Sequence, residues 1–181
     1  GANMTVDAGG NLIVEFGSAL LAGSDIDLVA VRDLVIRNNS QVDATTGYVD
    51  ADAGGTLSIL GGAGTFSTVA AGTFVMFSSV GLMTVQRSNV TAKNGSVTGT
   101  SSAGSIELLD NSAVTASDNV NFIAYMNVTA GAAAGDAVIV TASKGDILLR
   151  AGDDIYVNKT ATLQTLDSDY TMLPGILHAY S

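Results

Sequence analysis

The sequence predicts an all-β chain that folds as a parallel β-helix (a β-solenoid) of about seven rungs, each of about 24 residues. Apolar and polar residues alternate along most of the chain, which is the periodicity of a β-strand. Clusters of Gly, Asn, Asp and Ser separate these segments, and such residues tolerate the backbone angles of tight corners. The pattern also returns at a nearly constant spacing, which favours a solenoid over the competing β-sandwich.

The clearest repeat relates two segments that begin at Ile26 and Ile147, 121 residues apart. Seven positions match without a gap: Ile26, Leu28, Ala30, Asp33, Leu34, Ile36 and Val42 correspond to Ile147, Leu149, Ala151, Asp154, Ile155, Val157 and Leu163. Because strand and corner positions both match, we expect the two segments to occupy the same part of two different rungs.

A triplet of apolar, polar and small residues sets the period. Its first members stand at positions 20, 42, 66, 90, 114, 140 and 163, which is a nearly even spacing of about 24 residues. We expect one inward row made of Leu20, Val42, Phe66, Val90, Val114, Val140 and Leu163. Stacked in this way, the rungs would form a rod on the order of 35 Å long, with backbone hydrogen bonds between rungs.

The last residues of the chain leave the repeat. We therefore divide the sequence into a repeat domain over residues 1–165 and a non-repeating tail or cap over residues 166–181, which contains Pro174 and His178. An exposed strand edge invites polymerisation, so the tail could cover the edge of the last rung. We expect His178, the single histidine, to have a structural or solvated role.

Composition excludes several classes of function. Seventeen acidic residues against 7 basic ones give a formal charge of -10, and only 13% of residues are charged. An acidic surface repels phosphate backbones, so nucleic acid is not an expected partner. No apolar run is long enough to span a bilayer. The absence of Cys excludes disulfides and thiolate metal sites, and we expect no cofactor.

The segments GDILLRAGDDIYVNKTATLQT, from Gly145, and GSDIDLVAVRDLVIRNNSQVDAT, from Gly23, resemble rungs of the filamentous-haemagglutinin type of β-helix. Proteins of this type are large secreted adhesins of Gram-negative bacteria, and the likeness extends over about residues 1–165. The resemblance implies a right-handed β-helix that forms a cell-surface or extracellular rod and that presents or binds something without catalysis. Its partners would be neighbouring subunits of a fibre, through self-association, or host or surface glycans.

One acidic cluster offers a possible catalytic site. Asp153 and Asp154, with Arg150 and Lys144 nearby, could serve as acid and base, as clustered carboxylates do in the pectin-cleaving β-helix enzymes that the chain resembles in fold only. The same residues are typical of a corner where Asp caps backbone amides, and Asp33 stands at the position equivalent to Asp154. We favour the corner and expect that the chain is not an enzyme.

Two further segments could bind ions. Asp50 and Asp52 precede Gly54 and Gly55, and two carboxylates beside a flexible turn are candidates for binding Ca²⁺, although a plain turn is the preferred interpretation. Residues 61–65, GGAGT, suggest a phosphate loop, but no Lys-Ser or Lys-Thr follows and no helix begins there. We expect a corner at this point.

Tyr125 and Tyr156 are the candidate contacts for sugar rings, although they stand at different places in the rung. The column outside the inward row is expected to hold Leu21, Asp43, Ser67, Thr91, Thr115, Thr141 and Gln164. Its neighbouring column does not match it, which disfavours ice binding. Asn-x-Ser/Thr sequons occur at Asn3, Asn38, Asn89, Asn94, Asn127 and Asn158. They would carry glycans on a secreted eukaryotic chain, but the preferred interpretation is that a repeat rich in Asn and Thr copies the tripeptide.

The sequence therefore predicts a structural or adhesive β-helix module of a cell-surface or extracellular fibre protein, which self-associates or presents a binding face. A polysaccharide-binding module is the alternative, and a polysaccharide-cleaving β-helix enzyme is the third possibility.

Overall fold

A computed structural model describes residues 1–131 and 137–166 and the backbone of residues 177–178. These residues form 22 strands and no helix. The strands are β1 (Met4–Ala8), β2 (Leu12–Val14), β3 (Ala19–Ala22), β4 (Ile26–Ala30), β5 (Leu34–Arg37), β6 (Gln41–Ala44), β7 (Val49–Ala53), β8 (Leu57–Leu60), β9 (Ser67–Ala71), β10 (Val75–Ser79), β11 (Met83–Gln86), β12 (Ser88–Ala92), β13 (Val97–Ser101), β14 (Ile106–Leu109), β15 (Ser112–Ala116), β16 (Val120–Ala124), β17 (Val128–Ala130), β18 (Val138–Ala142), β19 (Ile147–Ala151), β20 (Ile155–Val157), β21 (Ala161–Thr165) and β22 (Leu177–His178). In this part of the chain, no helix is available that could cross a membrane.

Strands three places apart in the chain pair in parallel and build three sheets. Sheet A has the order β1-β4-β7-β10-β13-β16-β19, sheet B runs β2-β5-β8-β11-β14-β17-β20-β22, and sheet C runs β3-β6-β9-β12-β15-β18-β21. One rung is therefore one strand from each sheet, and seven such rungs run from β1 to β21. Rung length is not constant, because the step along sheet A from Met4 to Ile26 is shorter than the step from Val120 to Ile147.

This topology confirms the predicted parallel β-helix of about seven rungs. A β-sandwich is excluded for the described residues, because its neighbouring strands would run antiparallel. Ile26 and Ile147 both begin strands of sheet A, so the repeat over 121 residues joins equivalent positions five rungs apart. The hand of the helix stays a prediction.

The core consists of rows of aliphatic side chains that run along the stack. On sheet C the central inward row holds Leu20, Val42, Val69, Val90, Val114, Val140 and Leu163. Each of the five valines is at most 1% exposed. Rows of this kind stabilise the fold because every rung removes the apolar surface of its neighbour from water.

One member of this row was predicted wrongly. The third residue is Val69, which pairs with Val42 on one side and Val90 on the other. Phe66 lies instead in the corner between β8 and β9 and is 45% exposed, and Ser67 points inward and is fully buried. The corner before β9 is longer than the corresponding corners of the preceding and following rungs, so the inward valine comes later in the chain than a constant period predicts. Ala70 consequently takes the outward place that was expected for Ser67.

A second row, which was not predicted, consists of buried serines at the corner between sheets B and C. The hydroxyl groups of Ser40, Ser67, Ser88 and Ser112 donate to the carbonyl oxygens of Arg37, Leu60, Gln86 and Val85 at 2.6, 2.9, 2.8 and 2.8 Å. A buried hydroxyl is stable only when it is hydrogen-bonded. Serine fits here because it is small and carries its own donor to the carbonyl groups of the corner.

Corner side chains also bond from rung to rung. Before sheet B, the amide of Thr56 donates to Asp33 Oδ1 at 2.9 Å, and the amide of Asp154 donates to Asn127 Oδ1 at 3.0 Å. Asp33 and Asp154 both stand immediately before a strand of sheet B, so their predicted equivalence is confirmed. The amide and hydroxyl of Thr56 hold the pKa of the Asp33 carboxyl below its usual value.

Of the tail, the structure describes Leu166 and the backbone of two further residues, Leu177 and His178. These two residues pair in parallel with Ile155 and Tyr156 at the edge of sheet B. Pro174 and the side chain of His178 lie outside the described residues, so the division of the chain into a repeat domain and a tail or cap stays a prediction.

Candidate functional site

An open concavity of about 750 Å³ lies at the carboxyl ends of three strands of sheet A, β13, β16 and β19, on the fifth, sixth and seventh rungs. It is lined by Thr100, Ser101, Ser102, Ile123, Ala124, Tyr125, Arg150, Ala151, Gly152 and Asp153. It is open to solvent, so it is a concave part of the surface and not an enclosed small-molecule pocket.

Three strands in register build the floor of the concavity. Thr100 in β13 pairs with Ile123 in β16, which pairs with Arg150 in β19. These residues form an outward column, because side chains alternate between the two faces of a sheet. The backbone beyond them is held by hydrogen bonds from the Tyr125 amide to the Ser101 carbonyl oxygen at 2.9 Å and from the Gly152 amide to the Ala124 carbonyl oxygen at 3.1 Å.

Tyr125 is the aromatic residue of the site and is 67% exposed. The residues at the same corner position in the neighbouring rungs are Ser102 and Gly152, both small. A Cβ on Gly152 would lie 2.0 Å from the Tyr125 carbonyl oxygen, so this position accepts only glycine without rearrangement. Because Gly152 has no side chain, nothing at this position of the following rung covers the ring of Tyr125.

Arg150 and Asp153 bring opposite charges to the concavity, and both are exposed. The two ion pairs within the described ranges join Arg37 to Glu15 and Arg87 to Asp110, on other parts of the surface. Arg150 and Asp153 are exposed and form no ion pair within that part of the chain, so both side chains can meet a ligand. A guanidinium offers five N–H donors, and a carboxylate offers only acceptors. Arg150 can therefore donate to the oxygen of a ligand hydroxyl group, and Asp153 can accept its hydrogen.

The structure brings together only part of the predicted catalytic cluster. Arg150 and Asp153 line the concavity, whereas Asp154 belongs to the corner before β20, where its Oδ2 accepts a hydrogen bond from the Tyr156 hydroxyl at 2.8 Å. Lys144 lies in the corner before β19, at the other end of that strand. The paired carboxylates thus have different environments, and the expectation that the chain is not an enzyme stays a prediction.

The two predicted sugar contacts lie apart. Tyr125 lines the concavity beside sheet A, whereas Tyr156 is a half-buried residue of β20 in sheet B. Because the hydroxyl of Tyr156 is hydrogen-bonded within its own corner, the tyrosine that is free to meet a ligand is Tyr125. Thr100, Ser102 and Ile123 were not predicted to belong to a site.

Asp50 and Asp52 do not lie in a turn, so that expectation was wrong. Both belong to β7, where they alternate with buried residues on the outer face of sheet A, and the corner begins only at Gly54. Asp50 pairs in register with Asp27 on the preceding rung, which places two carboxylates side by side. No group of three or more acidic, His or Cys side chains suited to a metal ion is found within residues 1–131 and 137–166.

Burial raises the pKa of the Asp50 carboxyl, and the negative charges of Asp52 and then Asp27 raise it further. Ionisation of Asp50 therefore costs more in the folded chain than in the unfolded chain. The contribution of Asp50 to the free energy of unfolding is therefore expected to become less unfavourable as pH falls from neutral through the raised folded pKa towards the ordinary value of 3.8.

Replacement of Asp50 with asparagine is expected to raise the melting temperature at pH 7. The gain should shrink as the pH approaches 3.8, because the wild-type carboxyl then also becomes neutral. Thermal melts of both proteins between pH 3 and pH 7 measure this difference. Asp33→Asn is the comparison of opposite sign, because the pKa of Asp33 is lowered and its stabilising effect is lost at low pH. A gain that did not depend on pH would contradict the interpretation.

The remaining predicted features are corners or surface positions. Residues 61–65 lie between β8 and β9, and no helix begins there, so the expected corner is confirmed. On sheet C the outward column reads Leu21, Asp43, Ala70, Thr91, Thr115, Thr141 and Gln164. Thr91, Thr115 and Thr141 are in register, but the column is not continuous, which does not favour a flat ice-binding face.

Comparison of the chain with models of protein families, with curated proteins and with solved structures finds no match. The resemblance to adhesins of the filamentous-haemagglutinin type therefore stays a prediction.

Proposed function

We propose that the chain is a structural or adhesive β-helix module of a cell-surface or extracellular fibre protein, and that it presents a binding face on its fifth to seventh rungs. The observation that carries the proposal is the concavity around Tyr125, in which an exposed ring stands beside Arg150 and Asp153, which form no ion pair with any described residue. Exposed aromatic and charged side chains at one concave place are typical of recognition rather than of folding.

The stack beneath the concavity suits such a role. Parallel ladders join the three rungs through β13, β16 and β19, so the backbone under the binding face is fixed by hydrogen bonds on both sides of β16. A preorganised surface loses little conformational entropy when it binds. The stacked rungs therefore keep the residues of the binding face in fixed relative positions before a ligand binds.

A polysaccharide-binding module is the second candidate, and it is favoured by the chemistry of the same residues. Tyrosine offers an apolar face with a polar edge, and Arg150 and Asp153 add donors and acceptors. A fibre module of this kind would adhere through glycans of a host or of a neighbouring surface. Self-association into a fibre is the other form that the proposed function can take.

Two measurements on the purified chain test the proposal. Beads coated with the folded chain are expected to adhere to glycan-bearing cells, whereas beads coated with the urea-unfolded chain should not. Light scattering and negative-stain microscopy, with and without Ca²⁺, detect self-association in parallel. Adhesion or filaments would support an adhesive or structural role, and a chain that neither adheres nor assembles would contradict it.

A further inference from the structure

We propose that the concavity binds a neutral polysaccharide, with one sugar ring on the face of Tyr125 and its hydroxyl groups on Arg150 and Asp153. This inference rests on the proposed binding face and names its ligand class. It also assigns the sugar contact to Tyr125 and not to Tyr156, the other tyrosine that the sequence suggested.

The aromatic contact follows from the exposure of Tyr125. Its side chain is 67% exposed although it lies beside Ile123 and Ala124, because its corner neighbours are Ser102 and Gly152. A pyranose ring has an apolar face of C–H groups, which stacks on an aromatic ring and removes both surfaces from water. An exposed tyrosine above a small-residue corner therefore matches a flat sugar better than it matches a bulky apolar partner.

The polar contacts follow from the two exposed charges of the lining, Arg150 and Asp153, which have no ion-pair partner among the residues that the structure describes. Arg150 can donate several hydrogen bonds to sugar oxygens, and Asp153 can accept from sugar hydroxyl groups. Hydrogen bonds to charged groups are stronger than those between neutral groups. Thr100 adds a hydroxyl group at the opposite end of the outward column, two rungs from Arg150. The polar groups thus extend over about 10 Å along the stack, at about 4.8 Å per rung.

The balance of charge selects a neutral ligand. Arg150 and Asp153 offset each other within the lining, and the whole chain has a formal charge of -10. A uronic-acid polymer would be attracted by one guanidinium but repelled by Asp153 and by the field of the chain. A neutral polymer meets no such repulsion, and its hydroxyl groups can use the donor and the acceptor together.

The test compares the wild-type chain with Tyr125→Ala and Phe16→Ala on an array of polysaccharides. Phe16 is the matched control, because it is 77% exposed and lies in the corner between β2 and β3, outside the lining of the concavity. The neutral probes are polymers of glucose, mannose and galactose, and the acidic probes are polymers of galacturonate and glucuronate. Circular dichroism and thermal melts of each variant first verify that it is folded.

We expect binding to at least one neutral polymer, weakened tenfold or more in Tyr125→Ala and unchanged in Phe16→Ala. Arg150→Gln and Asp153→Asn should each weaken the same interaction, and the acidic polymers should bind more weakly than the neutral ones. Binding of a neutral polymer that survives Tyr125→Ala would overturn the site while leaving a polysaccharide-binding function intact. Preference for an acidic polymer would overturn the ligand class. Absence of all polysaccharide binding would overturn the inference, and the bead and scattering measurements would then decide separately whether the chain is adhesive or structural.

Discussion

Replacement of Phe122 with alanine is expected to destabilise the fold by about 3–5 kcal/mol, the range for truncation of a buried aromatic side chain. Phe122 is fully buried in β16 and stands in an inward row of sheet A between Gly99 and Leu149. Its ring fills the space that Gly99 leaves empty, since a Cβ on Gly99 would lie 2.6 Å from Phe122 Cδ1. Truncation would therefore leave a cavity across two rungs.

Urea unfolding of the two proteins measures this loss. The matched control is Tyr125→Ala, close to Phe122 in the chain but 67% exposed, which should change stability by no more than about 0.5 kcal/mol. The packing also predicts coupling. Gly99→Ala should be destabilising in the wild-type chain and less so together with Phe122→Ala, because the added methyl group then occupies vacated space. Equal costs in both backgrounds would contradict the contact.

Replacement of Gly54 with alanine is expected to cost about 3 kcal/mol, the upper end of the range for overpacking. Gly54 stands in the corner after β7, where its amide donates to the Ala30 carbonyl oxygen at 2.9 Å. A Cβ at this position would lie 2.2 Å from the carbonyl oxygen of Val31 on the preceding rung. Backbone must move to admit it, because no flexible side chain can yield.

Gly9 provides the control for this second prediction. It follows β1 as Gly54 follows β7, but a Cβ on Gly9 would meet no atom within 4 Å. Gly9→Ala should therefore be neutral, or stabilising by up to about 1 kcal/mol because alanine restricts the unfolded chain. Thermal and urea unfolding of both variants measures the difference. Equal effects at the two positions would show that close stacking of the corners does not restrict Gly54.

The sequence was sufficient to predict the architecture because β-helix rungs repeat their chemistry. The match between the segments at Ile26 and Ile147 reflects two strands in the same sheet, and the row of valines reflects one inward column. The exact register could not be predicted at the third rung. Phe66-Ser67-Thr68 fits the triplet of an apolar, a polar and a small residue at the constant period, whereas Val69-Ala70-Ala71, which is in register, has alanine at the middle position. The longer corner before β9 shifts the inward valine along the chain.

The candidate site was predictable only in its parts. Tyr125, Arg150 and Asp153 were each recognised from the sequence, but the rungs differ in length, so a constant period does not align them. Asp50 and Asp52 were assigned to a turn because two glycines follow them. The strand continues to Ala53 because its alternate residues, from Val49 onwards, all point into the core. Burial of that alternating face outweighs the low strand propensity of Asp.

A titration of the isotope-labelled chain with neutral oligosaccharides of glucose, mannose and galactose, followed by NMR, tests most directly that stacked rungs form one binding face. The predicted result is a set of amide shift changes in three separate segments, at residues 100–102, 123–125 and 150–153. These segments lie a whole rung apart in the chain but are adjacent in the stack, because Thr100 pairs with Ile123 and Ile123 pairs with Arg150. Changes confined to one continuous segment, changes centred on Tyr156, or no change at saturating oligosaccharide would contradict it.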